Sequence, residues 1–72
     1  MRLQWRKPDE YHIVTTCGRF SVCRITVDKA PLYIAFRRPY QELACRRLLP
    51  DASDVERGAA IKDMQAVCEA AQ

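Results

Sequence analysis

Two runs of β-branched and aromatic residues, separated by two residues of which the first is glycine, restrict this chain more than any other feature. Tyr11-His12-Ile13-Val14-Thr15-Thr16-Cys17 and Phe20-Ser21-Val22-Cys23-Arg24-Ile25-Thr26-Val27 both favour extended backbone. Between them stands Gly18-Arg19. A two-residue loop with glycine first suits a type II′ turn, because glycine enters the positive-φ region without steric cost. The runs are expected to form a β-hairpin with Cys17 opposite Phe20, Thr15 opposite Val22, Ile13 opposite Arg24 and Tyr11 opposite Thr26. Cross-strand partners share a face, so Cys17 and Cys23 fall on opposite faces.

Asp28-Lys29-Ala30-Pro31 reads as a second turn and Leu32-Tyr33-Ile34-Ala35-Phe36-Arg37 as a third strand. A four-residue loop sets Leu32, Ile34 and Phe36 beside Val27, Ile25 and Cys23. With Val14 they make one apolar face. The other carries Tyr11, Ile13, Cys17, Phe20, Val22, Tyr33 and Ala35, interrupted by Arg24 and Arg37. Both are more apolar than a sheet with one wet side requires, so either face could be the core. Met1 to Arg6 alternates, with Leu3 and Trp5 on one side, and Lys7-Pro8-Asp9-Glu10 ends that strand pattern. Pro39 to Pro50 supports two readings. Leu43, Cys45 and Leu49 alternate as in a strand, whereas Ala44, Cys45, Leu48 and Leu49 fit one helical face.

Ser53-Asp54-Val55-Glu56 is a capping-box pattern, and a helix is expected from Ser53 to Ala71. On a 3.6-residue wheel Ala60, Ile61, Met64, Val67, Cys68 and Ala71 form one stripe. Ala59, Ala66 and Ala70 lie behind it, either in solvent or ready for close approach of another element. The expected fold is α+β: a three- to four-stranded antiparallel meander with the C-terminal helix packed on one face.

Seventy-two residues make one small domain, 1–72, with little core to hold a preorganised catalytic cleft. No apolar run nears the ~18 residues of a membrane span. Met1 to Glu10 has no apolar middle of the signal-peptide type, so a cytosolic chain is expected. The net charge of +3 is unevenly spread. Residues 1–50 hold ten Lys or Arg against four acids, and residues 51–72 hold two against five. A basic surface draws phosphate or acidic protein partners.

Cys17, Cys23, Cys45 and Cys68 form no CxxC pair, and His12 is the lone histidine, so neither zinc nor disulfides are expected. No nucleophile elbow, phosphate loop, HExxH or paired-carboxylate motif occurs. A pairing of Cys17 with His12 would need one face, and the expected hairpin separates them. The chain reads as a non-enzyme without cofactor, metal or small-molecule substrate.

Three segments carry a resemblance: Ile13 to Val22 with its turn, Leu32 to Arg37, and the helix end Ala66-Val67-Cys68-Glu69-Ala70-Ala71. Together they resemble small uncharacterised proteins encoded in phages and prophages of proteobacteria. The resemblance implies a small accessory protein of a mobile element, working in the host cytosol by binding host machinery such as a defence complex. It transfers no functional residue.

Two functions follow as expectations. In the first, the chain binds a partner protein or itself through the sheet face that the helix leaves open, with Phe20, Arg24, Tyr33, Arg37 and Arg38 as contact residues. The open set is either Tyr11, Ile13, Phe20, Val22 and Tyr33 or Val14, Ile25, Ile34 and Phe36. In the second, the basic first fifty residues with Trp5, Tyr33, Phe36 and Tyr40 bind nucleic acid on the sheet. No membrane partner is expected.

Overall fold

The computed structural model describes residues 3–72. Five strands form one antiparallel meander in sequence order: β1 (Trp5–Arg6), β2 (His12–Thr15), β3 (Phe20–Val27), β4 (Ala30–Arg37) and β5 (Gln41–Arg47). The helix α1 (Asp54–Ala70) follows and lies across β3, β4 and β5. The α+β meander with one C-terminal helix is as expected, with one strand more than the upper count. The alternating N-terminal segment and residues 41–47 both join the sheet. Met1 and Arg2 of the expected first strand lie outside the described residues.

Both hairpin registers differ from expectation by two residues. Between β2 and β3, His12 pairs with Cys23, Ile13 with Val22 and Val14 with Ser21. The loop is therefore Thr16–Arg19, four residues rather than two. Gly18 still takes positive φ, +76°, but as the third loop residue, and its N–H donates to the Thr15 carbonyl at 3.0 Å. The Thr15 hydroxyl closes the loop. It accepts from the Phe20 N–H at 3.1 Å and lies 3.3 Å from the Phe20 carbonyl. A side chain thus serves the backbone groups that a tighter turn would have paired across the strands.

Between β3 and β4, Val27 pairs with Ala30 and Ile25 with Leu32, so the turn is Asp28-Lys29 alone. Both residues have positive φ, 51° and 65°, the signature of a type I′ turn whose twist matches the strands. Pro31 falls inside β4. Its carbonyl accepts from the Leu48 N–H at 2.9 Å, and its missing N–H faces that same border, where β5 is already ending.

A slip of two residues preserves side-chain alternation, so each residue keeps its expected face. The core face is the one carrying Ile13, Phe20, Val22, Tyr33 and Ala35. Beneath it lie Ala60, Met64 and Cys68 of α1, all buried, with Ile61, Val67 and Ala71 packed at the margin. This is the stripe the helical periodicity predicts. Ser53 caps the helix, with Glu56 returning to the Ser53 backbone. Ala59, Ala66 and Ala70 are exposed. Residues 39–50 resolve as a strand interrupted by a bulge. Ala35 pairs with Ala44, but Phe36 pairs with Glu42, leaving Leu43 as the extra residue. Leu43 and Ala44 consequently both pack against the core. Arg46 reaches across from β5 to Asp63 of α1.

Candidate interaction surface

The registers arrange the side chains opposite the helix into rows. The first row, from β1 to β5, is Arg6, Val14, Ser21, Phe36 and Glu42. The second is His12, Cys23, Ile34 and Cys45. The third is Ile25, Leu32 and Arg47, and Val27 with Ala30 makes the last. No element of α1 covers this side. Ile25 is 47% exposed and Val27 39%. Ile34 is nearly hidden because Cys23, Cys45, Leu32 and Phe36 crowd it on four sides. The result is an apolar strip with polar ends, in which Ile25 and Val27 are the exposed members and Val14, Leu32 and Phe36 are half-buried.

At the first-row end the strip opens into a shallow depression between His12, Ser21, Cys23, Phe36, Arg38 and Tyr40. Arg38 precedes a cis peptide bond to Pro39, and its N–H donates to the Arg19 carbonyl at 2.8 Å, which ties the two loops at this end together. Tyr40 is 91% exposed. Asp9 caps the start of β2 by accepting from the N–H groups of Tyr11 and His12, each at 2.8 Å, and its carboxylate also meets His12 Nδ1 at 3.0 Å. These bonds, the Tyr11 N–H first, hold the Asp9 carboxyl below the usual range.

The structure brings His12 beside Cys23, not Cys17, because they are direct cross-strand partners. Burial pushes the Cys23 thiol up, and Arg38 only partly opposes this. A thiol held protonated is a poor nucleophile. Cys17 sits in the β2–β3 loop. Its thiol is lowered by the Thr15 hydroxyl first and by Arg19 next. The four cysteines are unbonded: Cys17 and Cys45 exposed, Cys23 half-buried and Cys68 buried. Among the described residues no group of three or more His, Cys, Asp or Glu is placed to hold a metal ion. Among them no helix is long and apolar enough to cross a membrane.

The five residues expected at the contact surface are divided by the fold. Phe20 and Tyr33 are each only 2% exposed and form the core beneath α1, so they are corrected to packing residues. Their faces were assigned as expected; the helix simply covers that side. Arg24 is half-buried on the helix side at the sheet margin, with its guanidinium 5.4 Å from the centre of the Tyr11 ring. Arg37 is exposed at the end of β4, opposite Phe20. Arg38 alone lines the open face. The second expected set, Val14, Ile25, Ile34 and Phe36, is the one that lies there. Arg6, Glu42, Arg47 and Tyr40 complete its rim. They became visible only once the strands had been aligned in rows. No protein-family model, curated protein or solved structure matches this chain.

Proposed function

We propose that the chain is a non-catalytic protein-binding module acting through its open sheet face, by holding a partner protein or another copy of itself. One observation carries the reading. An apolar strip of Val14, Ile25, Val27, Leu32, Ile34 and Phe36 lies on the side away from α1, with Ile25 and Val27 exposed, Val14, Leu32 and Phe36 half-buried and Ile34 packed among them. Its removal from water is the main favourable term in most protein association. The accessory role in a host cytosol, suggested by the phage-like segments, agrees with a small domain that has one core and one free face.

A second reading rests on the depression. There Phe36 and Tyr40 stand beside Arg38, an arrangement that stacks and neutralises a single-stranded nucleic acid. Aliphatic side chains outnumber these aromatics on the face, which favours protein. Affinity capture from host lysate with and without nuclease separates the two. The protein reading expects capture that survives nuclease and is lost in Ile25→Asp. Capture abolished by nuclease, and kept in Ile25→Asp, replaces it with the nucleic-acid reading.

A further inference from the structure

The charges at the two long borders of the open face are arranged in opposite order. On the β1–β2 border, Arg6 stands in the first row, and the Asp9 carboxylate lies beside His12 of the second row. On the β5 border, Glu42 stands in the first row and Arg47 in the third. One border reads positive then negative, and the other negative then positive. A two-fold rotation about an axis running along β3, in the plane of the contact, keeps each row at its height and exchanges the borders. It brings Arg6 to the partner's Glu42 and Asp9 within one row of the partner's Arg47, inside reach of that long side chain, and each pairing occurs twice.

From this self-complementarity we infer that the occupant of the open face is a second copy of the chain, packed sheet on sheet about the two-fold axis. The inference rests on the protein-binding reading above and commits it to one partner. The same rotation lays Cys23, Ile25 and Val27 of β3 against their own copies and sets Val14 opposite Phe36. These side chains suit the gap of ~10 Å between aligned sheets. Five strands about 4.8 Å apart and up to eight residues long give a face of roughly 20 by 25 Å. Two such faces hide on the order of 1,000 Å², at the low end of specific interfaces. A dimer of moderate affinity is therefore expected, one in which rim charges fix orientation. Arg47 is free to take part, because its contact with Asp28 is 3.9 Å long and both groups are largely exposed. An acidic foreign surface would satisfy Arg6, Arg38 and Arg47 but leave Glu42 and Asp9 facing like charge.

Sedimentation velocity over a concentration series up to about 1 mM tests this. The wild-type chain, 8.3 kDa as a monomer, should sediment at twice that mass. Ile25→Asp should be monomeric. Arg6→Glu and Glu42→Arg should each raise the dissociation constant roughly tenfold or more, and the double variant should return to within about threefold of wild type. Lys62→Glu, on the exposed side of α1, changes net charge by as much as Arg6→Glu and should leave the dimer intact. Circular dichroism confirms that each variant is folded. A wild-type chain monomeric throughout overturns self-association, while the nuclease-resistant capture described above can still succeed. A dimer indifferent to both single reversals, or a double variant that stays dissociated, overturns this arrangement.

Discussion

Replacing Thr15 by valine removes one oxygen and almost no volume, and its effect follows from the β2–β3 loop. The hydroxyl serves both the N–H and the carbonyl of Phe20 at a buried site. In the variant that N–H has no acceptor, which costs about 1–3 kcal/mol. Valine returns part of this through its apolar surface and its preference for strands. A net loss of about 1–2 kcal/mol remains. For a domain of this size each kcal/mol lowers the melting temperature by about 4–8 °C, so a fall of roughly 5–15 °C is expected by circular dichroism. A second readout isolates the hydroxyl. Cys17 is lowered chiefly by its bond to Thr15, so Thr15→Val should move its thiol back up and slow its alkylation at fixed neutral pH. Thr15→Ser keeps the oxygen and should leave that rate unchanged. If Thr15→Val melts at or above the wild-type temperature, the hydroxyl is not what closes the loop.

Met64→Asp should unfold the domain, because the carboxylate would enter the core without a partner; a cooperative melt of the variant would contradict the helix placement. Gly58→Ala should raise stability by about 1 kcal/mol in urea titration, since an added methyl there meets no atom within 4 Å. The Cys68 thiol is pushed up to about 11 by burial first and by Glu69 next. The folded state therefore holds its proton more tightly than the unfolded chain, whose thiol titrates near 9.0. Stability is intact below pH 9 and falls between pH 9 and about 11, by about 3 kcal/mol at most. Cys68→Ala should lose that part of the slope in denaturation measured against pH.

The helix and the identity of the two sheet faces were legible because each rests on a local period. The cap at Ser53, the stripe through Met64 and the alternation in β3 and β4 needed no long-range knowledge. The turns were less legible. Gly18 fits the first position of a two-residue loop as well as the third of a longer one. Lys29 gives no hint that its φ will be positive. Pro31 resembles a turn residue but sits where its missing N–H falls at the end of the β4–β5 pairing. Even slips left every residue on its own side, so the two faces were grouped correctly although both loops were the wrong length, and which face is the core stayed open. β5 was obscured by its bulge, which puts Leu43 on the core side with Ala44 and apart from Cys45, so the alternation of Leu43 with Cys45 marked no single face. The candidate surface suffered most. Phe20 and Tyr33 were chosen before it was known which side α1 covers. The border charges could not be ordered until Arg6 and Glu42 were known to share a row.

The single surplus residue at Leu43 also bears on how this chain can vary from one generation to the next. In a register with no bulge, Leu43 would stand with Phe36 on the uncovered side, and Glu42 would turn toward the helix opposite Arg37. With it, the first half of β5 sends its leucine inward and its glutamate outward. Position 42 is thereby released from packing. A lineage can exchange glutamate there for another charge, and so change the charge of the outer side, without disturbing what lies under α1. Deleting Leu43 would keep Glu42 opposite Phe36 on the outer side but would take that leucine out of the core.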